Sequence, residues 1–139
     1  MNKFEKGDTQ IPHKMLDLDP YSKWLGIEIL ESEIGKVKLG MKVRADMLNS
    51  MQKAHGGIVY SLADTAFGFA ANSFGKYAVS IETSINHIEA VEEGDYLIAE
   101  SVIESVKNKL GFHIVEVKRA DELVALFKGV VYRTSKAWS

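Results

Sequence analysis

The sequence contains no cysteine. That excludes a disulfide framework, a thiol nucleophile and any thiolate-held zinc or iron–sulfur centre. It has only two prolines, Pro12 and Pro20, and no glycine- or serine-rich tract. With no linker-like composition to divide it, residues 1–139 read as one domain, and polar residues 1–12 as a flexible N-terminal segment. An excess of positive charge is missing too. Lys and Arg number 17 against 19 Asp and Glu, a net charge of −2, which is not the balance of a dedicated nucleic-acid binder. Long apolar runs are absent. The N-terminus has no signal-peptide core, and the most apolar segment, 58–71, is broken by Ser61, Asp64 and Thr65. The expectation is a cytoplasmic protein that partners neither nucleic acid nor membrane. His13, His55, His87 and His113 lack metal-ligand spacing, so no metal is expected. A GxSxG elbow and a P-loop are likewise missing.

What is present falls into two periodicities. Val37, Leu39, Met41 and Val43 alternate with Lys38, Gly40, Lys42 and Arg44, the mark of a strand with one dry face. Gly35 joins it by a hairpin to a strand at 27–30. A short helix over 12–24, interrupted at Pro20, precedes them. After a loop at 47–54, residues 55–74 are nearly all apolar or small. They read as a helix of about 15–17 residues, about 25 Å long, buried on most sides and stopped at Gly75. Strands follow at 79–85, 95–106, 111–117 and 123–132, with turns at Asn108 and Asp121-Glu122. The last is almost continuously apolar, as for a strand covered on both faces. Such a helix needs cover. The expected fold class is therefore α+β: an antiparallel curved sheet wrapped around a long central helix.

One residue is out of place in that helix. Carboxylates are seldom buried unpaired, yet Asp64 sits in the middle of the most apolar segment. It lies on an exposed stripe, caps a shorter helix starting at Thr65, or works. Eight residues earlier stands His55-Gly56-Gly57. Two glycines at a helix start admit close backbone approach. They also present free N–H groups at the positive end of the helix dipole, a suitable place for an oxyanion. Taken alone, the pair is equally a plain turn.

The run His55-Gly56-Gly57, then Leu62, Asp64 and Ala66, resembles the signature of the PaaI-like hotdog-fold acyl-CoA thioesterases of the phenylacetate-pathway type. Asp46-Met47-Leu48-Asn49 resembles that family's approach to the motif. Ser80 resembles its continuation on the next strand, and Leu25-Gly26-Ile27 and Gly35 also fit. The resemblance spans residues 20–135. Gln52-Lys53 departs from it, since many members carry a glycine between the Asn and the His-Gly-Gly. The resemblance implies a hotdog fold, a homodimer that often pairs into a homotetramer, and active sites between subunits. It implies acyl-CoA as substrate, with coenzyme A part of that substrate and no separate cofactor. Asp64 would be the catalytic carboxylate and the Gly56 N–H would polarise the thioester carbonyl, with Gly57 adjacent. Asn49, held by His55, would orient the carbonyl or the water, and Ser80 would position the water. Asp64 and Ser80 would come from one chain and the 49–57 loop from the other. The acyl group implied is aromatic, of phenylacetyl type, or of medium chain length. Tyr60, Phe67 and Phe69 are either the wall of an aromatic pocket or ordinary core.

The chemistry is consistent with so few groups. A thiol leaving group has a pKa of about 8.5, so no strong general acid is needed. A mostly apolar site raises the carboxyl of Asp64 and makes it a better base. General-base activation of water and direct nucleophilic attack both remain open. Lys107, Lys109, Lys118 and Arg119 flank the last hairpins and either meet the phosphates of coenzyme A or form a solvated face. The alternative to an enzyme is a non-catalytic acyl-CoA-binding hotdog module. A hydratase would be expected to use a catalytic histidine on or beside the helix, and His55 ahead of two glycines suits the thioesterase pattern better.

Overall fold

Proline and glycine punctuate the first elements of the structure, a computed structural model that describes residues 7–138. Pro12 and Pro20 each open a short helix, α1 (Ile11–Asp17) and α2 (Pro20–Leu25), where a missing N–H costs nothing. Asp19 caps α2 by accepting the Ser22 N–H, and Gly26 ends it in the left-handed region at φ 77°. The flexible segment expected over 1–12 lies half outside the described residues. Within them, Ile11 and Pro12 are already buried in α1.

The remaining order is β1 (Glu28–Glu33), β2 (Lys36–Lys42), a 3-10 turn at Ala45–Met47, α3 (Gly56–Asn72), β3 (Lys76–His87), β4 (Tyr96–Val106), β5 (Leu110–Arg119) and β6 (Glu122–Ala137). Two strands, one long helix and four strands thus stand where the periodicities put them. All pairings are antiparallel, in the order β1-β2-β4-β5-β6-β3. Leu62, Ala66 and Phe67 of α3 join Leu39, Leu97, Val115 and Phe127 of the sheet in one core.

The curved sheet wrapped around the helix does not form. The sheet is open, with β1 and β3 as its two edges, and α3 lies across one face. The reason is in the helix, which is not apolar all round. Gly57, Ser61, Asp64, Thr65 and Gly68 recur three and four apart, and this small, polar stripe stays half-buried or exposed. A helix with one such face needs a sheet on the opposite face only.

Two strands also differ from expectation. β6 alternates instead of burying both faces. Phe127, Gly129 and Val131 point into the core, while Lys128 and Tyr132 are exposed. Val79 and Ile81 of β3 are 51% and 59% exposed, beside a register shift between Ser80 and Glu82. β3 is an edge strand, so its apolar residues have no neighbour on that side. Among the described residues, no helix is long and apolar enough to cross a membrane.

Candidate active site

The site begins in the loop before α3. Asn49 folds this loop on itself: its Oδ1 accepts the N–H groups of Met51 (2.9 Å) and Lys53 (3.1 Å). Asn49 is therefore held by its own loop and not by His55. Gln52, where a glycine is common in the resembling family, sits at φ 63° in the left-handed region. The loop is pinned to its surroundings by His55 N–H to Met47 O and Ala54 N–H to Val91 O, both 2.8 Å.

His55 is the N-cap of α3. Its Nδ1 accepts the Gly57 N–H at 2.9 Å, and its carbonyl accepts the Ile58 N–H. Gly57 has no side chain because a Cβ there would lie 3.0 Å from that Nδ1. The Gly56 N–H, in the first turn, has no partner among the described residues. A Cβ on Gly56 would stand 3.4 Å from Nε2 of His87, which closes β3 beside the helix start. Two cavities flank this end of α3. One of about 330 Å³ is lined by Asn49, Lys53, Gly56 and His87, and one of about 440 Å³ by Tyr21, His55, Gly57 and Tyr60.

Asp64 is on the small, polar stripe, half-buried, with neither hydrogen bond nor ion pair among the described residues. Burial alone pushes its carboxyl above the usual range. It is mid-helix, so it caps nothing. Ser80 is exposed on β3. Two contacts fix where β3 runs along α3. Tyr60 Oη meets Thr83 Oγ1 at 2.6 Å, and Asn72 exchanges hydrogen bonds with Ala78 at 3.0 and 3.1 Å. Ser80 lies between them, alongside the stretch of helix that carries Asp64.

Gly56 and Asp64 are not brought together within one chain. Eight residues of helix separate them, about 12 Å along the axis. Phe67 and Phe69 are core residues. Phe67 packs edge-on to His113 and tilted on Phe127. The four basic residues of the last hairpins divide between two ends of the sheet: Lys107 and Lys109 at the β4–β5 turn, Lys118 and Arg119 at the β5–β6 turn. Arg119 is engaged there by Asp95 (2.7 Å) and Glu122. Among the described residues, no group of three or more His, Asp or Glu could hold a metal ion.

One polar pair is buried outside this region. His113 and Arg133 are 2% and 5% exposed, and His113 Nδ1 and Arg133 Nε have no hydrogen-bond partner among the described residues. Burial, helped by the Arg133 charge, pushes the His113 imidazole down to about 4. Arg133 belongs to no motif. Its only signal in the sequence is its parity with Phe127, Gly129 and Val131 on the inward face of β6.

The model of the Thioesterase superfamily matches residues 51–126, the stretch from the loop through α3 to β6. The acyl-coenzyme A thioesterase PaaI of Escherichia coli is 38% identical over 125 residues, 89% of each chain. A putative esterase of Archaeoglobus fulgidus is 43% identical over 119 residues, 85% of this chain and 77% of its own. The solved PaaI protein of E. coli superposes with a TM-score of 0.90 at 35% identity, covering 94% of this chain and 95% of that one. A phenylacetic acid degradation protein PaaI of Thermus thermophilus, solved as a variant, gives 0.81 at 34% identity over 84% of this chain and all of that one. With its helix-start glycines, its mid-helix carboxylate and its antiparallel sheet, the chain belongs to the thioesterase superfamily, among the PaaI-like hotdog-fold enzymes.

Proposed function

We propose that this thioesterase hydrolyses acyl-CoA thioesters, with Asp64 as the catalytic carboxylate and the Gly56 N–H as the oxyanion donor. The observation that carries the reading is Asp64 itself. A half-buried carboxylate without a partner is a cost to the fold, and burial raises it toward the range of a working base. The unpartnered Gly56 N–H supplies the complementary donor at the positive end of α3. Water adds to the thioester carbonyl, the carbonyl oxygen gathers negative charge against Gly56, and the C–S bond breaks to give a carboxylic acid and a thiol. Asp64 takes the proton from the water, or attacks the carbonyl itself and is regenerated by hydrolysis of the anhydride. Ser80, on the strand that runs along α3, would hold the water. Asn49 and His55 would shape the loop and the capped N-terminus.

The reacting groups must stand within about 3 Å of one carbonyl, so the separation along α3 requires two chains. In a two-fold pair, Gly56 of one protomer faces the partner subunit's Asp64, and residue 60 lies near the axis. Two features favour this homodimer. β3 is an unpaired edge with Val79 and Ile81 exposed, and the stripe of small residues on α3 lets two helices approach. The acyl group is assigned as phenylacetyl-type or medium-chain, in keeping with the phenylacetic acid degradation operon from which the E. coli PaaI protein comes.

The test is turnover of a panel of acyl-CoA thioesters, including phenylacetyl-CoA and medium-chain acyl-CoA, by wild type and Asp64→Asn. The expected loss is about 10²–10⁴ in kcat with the oligomer unchanged. An unchanged kcat removes Asp64 from the chemistry. Tight acyl-CoA binding without hydrolysis by the wild type would make the chain a binding module.

A further inference from the structure

Beyond the C-terminal end of α3 lies a cavity of about 450 Å³ that the hydrolytic chemistry does not use. Its lining includes Lys76 at the start of β3, Lys109 at the β4–β5 turn, and Tyr132, Arg133, Thr134 and Ser135 of β6. These residues supply three cations and three hydroxyls, and no carboxylate among the described residues lines the space. Neither lysine has an ion-pair partner among the described residues.

Arg133 is the informative member. Its side chain is buried, and Nη1 donates to the carbonyls of Lys107 (2.6 Å) and Asn108 (3.2 Å), tying down the β4–β5 turn. Among the described residues, its Nε–H has no hydrogen-bond partner and no carboxylate pairs with its charge. Beneath it are the face of Phe74, 5.8 Å from the guanidinium, and neutral His113. A buried guanidinium without a counter-charge is costly. Thr134 Oγ1 already accepts the Lys136 N–H at 3.2 Å, so its hydroxyl proton is left to donate outward. The site is thus rich in donors and short of one acceptor group carrying negative charge.

We propose that this cavity binds a phosphoryl oxyanion, held by Lys76 and Lys109 with Arg133 as the buried counter-charge. The assignment of that phosphoryl group to the nucleotide end of coenzyme A rests on the thioesterase reading above, whereas the anion site itself does not. Position favours the nucleotide. The end of α3 is about 12 Å along the helix axis from Asp64, so a long substrate reacting at Asp64 could reach it with its far end.

Calorimetric titration of the full chain with adenosine 3′,5′-bisphosphate and, separately, with inorganic phosphate tests this. The two lysines are replaced together, Lys76→Gln with Lys109→Gln, because Lys109 is exposed and Lys76 only half-buried, and their loss spares the buried Arg133. Lys118→Gln at the other end of the sheet controls for net charge. The wild type is expected to bind the bisphosphate, and the double variant to bind it about tenfold more weakly or worse, as for two lost charge-assisted hydrogen bonds. Lys118→Gln should stay within about twofold of wild type. No binding by the wild type, no loss in the double variant, or an equal loss in Lys118→Gln overturns the site. Inorganic phosphate binding as tightly as the nucleotide, with the same loss in the double variant, supports the site and identifies the free anion as its source. The thioesterase reading is tested apart, by turnover in Asp64→Asn, so either idea can fail while the other stands.

Discussion

Replacing Gly56 by proline removes one N–H and little else. Gly56 is the first residue of α3, where proline is accommodated, and His55 before it is extended at φ −60° and ψ 135°, the conformation proline prefers in its predecessor. A Cβ there stands 3.4 Å from Nε2 of the exposed His87, which can yield. Losing the proposed oxyanion donor is expected to lower kcat by about 10²–10³, or about 2.7–4 kcal/mol of transition-state stabilisation. Asp64→Asn disables the other half. The two groups lie about 12 Å apart along one helix, and the proposed site takes them from different chains. Co-expressing the two variants under different affinity tags and isolating the mixed dimer therefore has a numerical outcome. One of its sites combines both lesions, and the other combines an intact Asp64 with an intact Gly56. The mixed dimer should recover about half the wild-type activity, whereas either variant alone stays at its floor. Both parents must be folded and dimeric, by circular dichroism and light scattering. A folded mixed dimer with no recovered activity would refute the shared site, because a site built within one chain carries a lesion in every copy.

Other substitutions probe the fold and the carboxylate. Burial raises Asp64, so kcat/KM should fall as pH drops through a value above the ordinary aspartate range, and a profile breaking near 3.9 would remove the cause. Stability tied to this proton is fully present below the unfolded pKa and is lost as pH rises through the raised folded one. Asp64→Asn should therefore be more stable than wild type at neutral pH, with the gap closing in acid; a gap constant with pH in denaturant titrations contradicts this. Gly129→Ala places a Cβ 2.6 Å from the ring of Phe67, which Phe127 and His113 hold in place. It should cost about 1–3 kcal/mol in thermal unfolding, and an unchanged Tm would mean the ring moves freely. Gln52→Gly exchanges a left-handed strain of about 1–2 kcal/mol for a chain-entropy cost of about 0.5–1 kcal/mol. Its Tm should rise by about 2 °C, and a fall would show that the Gln52 side chain is used.

The helix and its odd carboxylate were legible because both are local. Residues 56–72 are apolar or small at nearly every position, and Asp64 stands out against them whatever the rest of the chain does. The strand order, by contrast, is a matter of long-range pairing. Val79 and Ile81 alternate like any half-buried strand, and nothing in that period says that β3 would be an edge. Hydrophobicity averaged over the helix points to a wrapped sheet, whereas the stripe from Gly57 to Gly68 depends on phase. Asn49 illustrates a third limit. Its loop hydrogen bonds follow from a turn of five residues that no periodicity describes. Arg133 is hidden for the opposite reason: it keeps the parity of a core strand, so only its chemistry marks it.

The edge strand has a consequence for the order of assembly. β3 pairs with β6 alone, and β6 is the last element of the chain. β1 with β2, and β4 with β5, are hairpins that close over short loops, but the partner of residues 76–87 begins only at Glu122. Pairing at that separation is slow, because a long loop must be ordered before any contact repays it. During synthesis, Ser80 and the apolar flank at Val79 and Ile81 have no strand to pair with until β6 has been made. The edge proposed above to meet a second copy thus takes shape only after β6 has paired with β3.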